Sequence, residues 1–171
     1  MDIDHSSLDY IHTRDKLLFK AFKGIVYEHD VPADIIYWSG DLESFGYTQE
    51  TMGSDENSWT NKIHPEDAAQ ARKTFQEAEL GTKIFDGKYR FQCGNGDFIW
   101  VHDYGFMEVD PKTNQAITVI GVVQNIQKEV DDKKHLESKL AELENINKLM
   151  VNRELKMIDL KKELQDLEQK K

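Results

Sequence analysis

The chain has 171 residues, a single cysteine and a formal net charge of −10. Eleven basic and eleven acidic side chains cancel over residues 128–171, so the acidic excess falls on residues 1–127. That part is long enough for one hydrophobic core and too short for two ordinary domains, and its sign argues against a surface for nucleic acid or anionic membrane. Cys93 alone excludes an internal disulfide and fits a reducing compartment. Met1 to Leu8 is too acidic and polar for a secretory leader, and no run of roughly 18 apolar residues spans a bilayer. A cytoplasmic segment with no membrane contact is the expectation.

Ser6-Ser7-Leu8-Asp9 reads as a helix start, with Ser6 as cap and Asp9 three residues on. Leu8, Ile11, Leu18 and Phe22 continue it as an imperfect apolar stripe, which predicts a helix over 6–22 in an N-terminal cap, 1–22. Gly24–His29 and Asp34–Trp38 are β-branched and aromatic runs separated by Asp30-Val31-Pro32-Ala33, and predict two strands. Between Ser39 and Asn61 the pattern breaks around Gly40, Gly46 and Gly53 into short helices and loops. Pro65 opens a longer helix with Glu66 and Asp67 at its positive end, Ala68, Ala71, Phe75 and Ala78 on its inner face, and Gly81 as its stop.

Three strands follow: Phe85–Cys93, Phe98–Glu108 and Ala116–Asn125. They are joined by the polar turns Gly94-Asn95-Gly96-Asp97 and Asp110-Pro111-Lys112-Thr113-Asn114. The sum is an α+β domain over residues 23–127, a five-stranded antiparallel sheet with one face under the middle helices. The other face needs a cover, for which the apolar material is the N-terminal helix or a partner chain.

Residues 128–171 contain no Gly, Pro, Phe, Tyr or Trp, and predict one long helix of about 65 Å at ~1.5 Å per residue. Leu136, Leu143, Met150, Met157 and Leu164 recur every seven residues as the a positions of a parallel coiled coil. The d positions are Lys139, Ile146, Arg153, Leu160 and Leu167, so the seam is poor at Lys139 and Arg153. Leu140, Leu149, Leu155 and Ile158 widen the apolar surface. A plain dimerisation or linker helix and a helix that also transmits a conformational change both fit this pattern; a parallel homodimer through this helix is the expectation, with the N-terminal helix as a possible second contact.

Certain segments together resemble the PAS sensory domain, in the subgroup with a tryptophan near the penultimate strand. Tyr37-Trp38-Ser39 leading to Phe45-Gly46-Tyr47-Thr48-Gln49-Glu50 is similar to its second strand and first small helix. Trp59 to Asp67, through Ile63-His64-Pro65, is similar to the approach to its long helix. Tyr89-Arg90-Phe91, Gly94 to Val101 and Gly121-Val122-Val123-Gln124-Asn125-Ile126 are similar to its last three strands. The resemblance covers roughly residues 14 to 127, and Met150 to Glu163 resembles helical linkers that follow sensory domains in microbial histidine kinases. It implies a PAS fold that binds a small ligand, a cofactor or another copy of itself and biases an output domain.

The departures are specific. His135 stands in Lys133-Lys134-His135-Leu136-Glu137, outside the His-Glu-Leu-Arg-Thr-Pro pattern of a phosphoacceptor, and these residues include no ATP domain. The family's strand often ends in Asp-Ile-Thr where this chain has Asn125-Ile126-Gln127, which puts a charge-locked junction in doubt. Cys93 sits near a strand end and not in the helical Asn-Cys-Arg-Phe-Leu-Gln of flavin relatives. The segment Glu66 to Leu80 lacks the histidine of haem relatives, and His64 belongs to the turn before it. Flavin and haem are both disfavoured, and the six histidines have no metal-binding spacing.

A ligand cavity of this family would lie between the sheet and the middle helices. Its candidate walls are Tyr27, Tyr37, Phe45, Ile63, Phe75, Tyr89, Phe91, His102, Tyr104 and Val122, each of which could equally be core. Arg72 and Arg90 are candidate clamps for an anion, since a guanidinium holds a carboxylate by two parallel hydrogen bonds; Arg90 paired outward to an acid is the alternative. The expected function is a non-catalytic sensory and dimerisation module of a signal-transduction protein, a histidine kinase, with a ligand-free PAS scaffold for protein association as the alternative.

Overall fold

A computed structural model of the protein describes residues 23–81 and 83–168 together with 13, 17 and 18; the side chains of 163, 164 and 166–168 lie outside the description. Of the expected N-terminal helix, only Thr13, Leu17 and Leu18 fall within it, and all three are helical. The chain divides into two compact units, Met1–Gln127 and Lys128–Lys171.

Strands β1 (Gly24–Asp30) and β2 (Ile35–Gly40) form an antiparallel hairpin in which Tyr27 faces Trp38 and His29 faces Ile36. Three short helical pieces follow: a 3-10 turn at Glu43–Phe45, α1 (Gln49–Met52) and α2 (Glu56–Thr60). Thr48 caps α1 and Asp55 caps α2, each accepting from a backbone N–H three residues on while Thr51 and Ser58 reach back. Helices this short have little stability of their own, and the caps satisfy the amide groups they would otherwise bury.

Helix α3 (Pro65–Leu80) starts where Pro65 predicts it, with His64 as cap: its Nδ1 accepts from Glu66 N–H at 3.3 Å. Strands β3 (Ile84–Gln92), β4 (Phe98–Val109) and β5 (Ala116–Asn125) pair in sequence, with a bulge at Glu108/Val109. The spatial order is β2-β1-β5-β4-β3, so β1 joins the last strand across nearly the whole domain, Tyr27 opposite Gly121. The α+β expectation of a five-stranded antiparallel sheet with flanking short helices holds.

The helix-covered face carries the core. Ile25, Phe85, Phe91, Val101, Val119 and Val123 are sealed beneath Phe45, Met52, Ile63, Ala71 and Ala78. The opposite face leaves large apolar groups in water: Tyr37 is 59 % exposed, Phe106 57 % and Ile120 52 %. Phe106 stands opposite Ile120 and Tyr104 opposite Val122 on neighbouring strands, so the rings and aliphatic groups form one patch.

Helix α4 (Gln127–Glu168) is continuous for 42 residues. Leu136, Leu143, Ile146, Met150, Met157 and Leu160 are all exposed on it, as are Leu140, Leu149, Leu155 and Ile158. Leu164 and Leu167 lie in the helix, with side chains outside the described part. Surface pairs such as Lys139–Glu142 at 2.9 Å add little to a helix this long.

Candidate functional site

Alternation along β1 turns Ile25, Tyr27 and His29 toward the helices, and along β2 it turns Ile36 and Trp38 the same way. These side chains meet Trp59 of α2, Phe75 of α3, Phe85 of β3 and Val119 of β5 around a cavity of about 30 Å³, with Glu56 at its rim. Trp59, Phe75 and Phe85 form one wall, with ring centroids 5.7–6.2 Å apart at tilted or edge-on angles. Tyr27 and Trp38 form another, 6.0 Å apart. On the far side of Trp59 and Phe75 an open polar basin of about 330 Å³ is lined by Asp34, Glu56, Asn57, Arg72 and Gln76.

The polar tips of the aromatic walls are engaged elsewhere. Trp38 Nε1 donates to Gly53 O at 2.6 Å, and Trp59 Nε1 donates to the Tyr89 hydroxyl at 2.8 Å. Tyr27 and Tyr89 both donate to Asp103, to Oδ1 at 3.0 Å and to Oδ2 at 2.7 Å. Asp103 is 1 % exposed; burial pushes its carboxyl up to about 7, against the pull of the two hydroxyls that donate to it. Burial, and then the nearby Asp103 charge, hold both tyrosines well above the ordinary phenol range.

Two glycines make this network possible. Gly105 and Gly121 are cross-strand partners, and the Tyr27 ring lies over them. A Cβ on Gly121 would stand 2.5 Å from the Tyr27 hydroxyl oxygen, and one on Gly105 would stand 2.7 Å from it. Any side chain at either position would lift the ring from the sheet and part its hydroxyl from Asp103.

The structure separates the residues that the sequence groups as one site. Tyr27 and Phe75 line the inner cavity and Arg72 lines the outer basin. Tyr89 abuts the cavity wall through Trp59, while Phe45, Ile63 and Phe91 belong to the core at its other end, where Ile63 bridges to Phe91. Tyr37, His102, Tyr104 and Val122 do not face the helices: each lies on the opposite strand phase, on the outer face, where His102 Nε2 is 2.8 Å from Asp86. The inward phase of β4 is Val101, Asp103, Gly105 and Met107. The aromatic run on the other phase draws the eye, but a buried face needs small and apolar groups where another chain segment lies across it. His29, Ile36, Trp38, Glu56, Trp59, Phe85, Asp103 and Val119 are absent from the sequence grouping; the regular Val101/Met107 and Val119/Val123 spacing is the signal that places the strand residues among them.

Arg90 is not open to a ligand. Its Nε and Nη2 fork onto Asp67, each at 2.8 Å, and Nη2 also meets Glu66 at 2.8 Å. The guanidinium hydrogen bonds hold Asp67 and Glu66 below the usual carboxylate range and raise Arg90 itself. The guanidinium also lies 5.7 Å from the Trp100 ring centroid. The Trp100 backbone in turn binds the end of the sheet: its amide N–H donates to Gln127 Oε1 at 3.0 Å, its carbonyl accepts from Ile126 N–H at 2.9 Å, and Asn125 Oδ1 accepts from Gln127 N–H at 2.9 Å. Amides thus hold the junction where the family often uses a carboxylate. Among the described residues no group of three or more histidine, cysteine or acidic side chains gathers as metal ligands, and no helix is long and apolar enough to cross a membrane.

A five-stranded antiparallel sheet with short helices across one face, followed at once by a long helix, defines a PAS-type sensory domain. The chain belongs to the PAS fold family, whose sequence profile matches residues 35–123. No curated protein sequence matches it. It is similar to the crystal structure of a sensory box histidine kinase/response regulator from Burkholderia thailandensis E264, with TM-score 0.64 and 18 % identity over 77 % of this chain and 98 % of that one. It is similar also to the N-terminal domain of a diguanylate cyclase with PAS/PAC sensor from Marinobacter aquaeolei, with TM-score 0.55 and 21 % identity over 63 % and 98 %. A domain of the putative light and redox sensing histidine kinase from Haloarcula marismortui gives TM-score 0.52 and 21 % identity over 67 % and 98 %. At these identities the likeness is one of fold.

Proposed function

We propose that this chain is the cytoplasmic sensory and dimerisation module of a signal-transduction protein, a histidine kinase, and that α4 carries its output. The observation that carries the reading is the pairing of a PAS sheet with a 42-residue helix whose seam residues are exposed, Leu136 by 61 %, Leu143 by 57 % and Met157 by 51 %. A polar helix with such a stripe gains most of its stability from a partner, and a second copy in parallel register supplies it. Two of the similar solved structures come from histidine kinases, which supports the choice of parent. The module has no catalytic role of its own; its sheet would bias α4 through Trp100 and Gln127, the hydrogen-bonded link between β4 and the first residue of the helix.

One observation favours a second reading, a ligand-free scaffold: the inner cavity of about 30 Å³ has room for only about two water molecules. Both readings need the dimer. Changing Leu143→Asp together with Met157→Asp is expected to give a monomer in sedimentation equilibrium while the near-ultraviolet signal of the globular unit is kept. A dimer of unchanged affinity would remove α4 as the driver of association.

A further inference from the structure

We propose that the open basin between α2 and α3 binds a free amino acid with an apolar side chain, its carboxylate on Arg72 and its ammonium between Glu56 and Asp34; this names the ligand class of the sensory reading and rests on it. Arg72 finds no acid on its own helix, because the positions three and four residues away are Ala68, Ala69, Phe75 and Gln76. Lys73 beside it pairs with Glu77 at 3.7 Å, and Arg90 takes Glu66 and Asp67, so Arg72 has no ionic partner among the described residues. Glu56 has Trp59 and Thr60 at the same spacings on α2, and its carboxylate meets no base among them. Asp34 is held in place, with Oδ1 accepting from Glu56 N–H at 3.0 Å and standing 3.4 Å from His29 Nε2.

Opposite charges therefore line one basin of about 330 Å³, the base on α3 and the acids on α2 and the turn before β2, with no ion pair across it. An anion alone would meet Arg72 and also two acids; a cation alone would meet the acids and also Arg72. A small zwitterion answers all three. Guanidinium and carboxylate match as a two-bond fork, and an ammonium brings three N–H donors to two carboxylates and the Asn57 side-chain oxygen. Trp59 and Phe75, each half-buried, supply the apolar part of the lining, which suits a ligand side chain of aliphatic carbon.

The charged walls are exposed, so water screens them and a dissociation constant of about millimolar is expected. Occupancy reaches the sheet through a shared wall. Glu56, Trp59 and Phe75 line both the basin and the inner cavity, and Trp59 Nε1 donates to Tyr89, which donates to Asp103 on β4. A ligand that shifts Trp59 thus acts on the strand whose Trp100 backbone holds Gln127 at the start of α4.

The test is a titration of the full-length chain with L-leucine at constant ionic strength, read by the indole N–H resonances of Trp59 and Trp100. Two controls each lack one charge of leucine: 3-methylbutylammonium chloride and sodium 4-methylpentanoate. A saturable shift of Trp59 with leucine, a still Trp100 signal, and binding about tenfold weaker for both controls are expected. Arg72→Gln should weaken leucine about tenfold and leave the ammonium control unchanged. Glu56→Gln should weaken leucine several-fold and leave the carboxylate control no weaker; both positions are exposed, so the melting temperature should hold. Either control binding as tightly as leucine, or leucine binding unmoved by both substitutions, would overturn the zwitterion site while leaving a ligand-binding sensor in place. A Trp59 signal indifferent to all three probes well above the millimolar range would overturn it as well. Dimerisation through α4 is read separately in the Leu143 and Met157 double variant, so loss of this ligand and loss of the module are distinct results.

Discussion

The helix-covered face of the sheet holds a carboxylate that water does not reach, and the opposite face holds tyrosine and phenylalanine rings that it does. On the covered face Asp103 is tolerated because Tyr27 and Tyr89 donate to it, with Trp59 donating to Tyr89 behind them. On the outer face Tyr104 and Phe106 make an edge-on ring pair at 5.3 Å, and the described residues leave both partly exposed. Burial is therefore a property of the strand phase and not of the side chain's polarity. A polar group goes inside when its partners are already there, and apolar groups on the outer phase stay in water when no described residue lies across them.

The largest effect that can break this contrast is at Phe85. It is fully buried, and Phe85→Ala is expected to destabilise the domain by about 3–5 kcal/mol in urea unfolding. A loss under about 1 kcal/mol would mean that the covered face is not the core.

Next in size is the pH response of Asp103. Its folded carboxyl titrates at about 7 against 3.8 in an ordinary setting, so between these values the folded chain holds a proton that the unfolded chain has lost. The contribution of this group is thus fully present below about pH 4, falls as pH rises toward 7, and is flat above. The difference amounts to on the order of 4 kcal/mol at most. Asp103→Asn should remove this slope, seen as a smaller fall in stability from pH 5 to pH 7.5 than in the parent chain; equal slopes would place the proton elsewhere.

The smallest expected effect sharpens the other side of the comparison. Phe106→Ser, at a position 57 % exposed, should change unfolding stability by no more than about 0.5 kcal/mol in a chain made monomeric by the α4 double substitution. A loss above about 1 kcal/mol in that background would show the face covered within a single chain.

Much of the fold is legible in the residues because its signals are local. Pro65 with Glu66 and Asp67 marks the start of α3, and the polar turn at Gly94–Asp97 sets the β3–β4 hairpin. The pairing of β1 with β5 is not legible, since nothing near Tyr27 announces that Gly121 will lie opposite. The site suffers from the same limit. A period of two tells which residues of β4 share a face but not which face is inward, and the aromatic series Trp100, His102, Tyr104 and Phe106 favours the wrong choice. Asp103 is misleading for a different reason: a lone acid in a strand reads as surface until the tyrosines from β1 and β3 are seen to converge on it. Arg90 alone fits two readings, and Asp67, in the first turn of a helix more than twenty residues earlier, settles it by geometry.

The seat of Tyr27 also constrains how this protein can change over generations. A side chain gained at Gly105 or Gly121 evicts the tyrosine; losing the tyrosine hydroxyl strands one oxygen of Asp103; replacing the aspartate leaves two hydroxyls searching for an acceptor. Each single step passes through a less stable chain, so these residues should be inherited together or exchanged together. A lineage that abandoned the aspartate would be expected to fill the glycine slot in the same period of its history, and its ring pocket would then close from the sheet side.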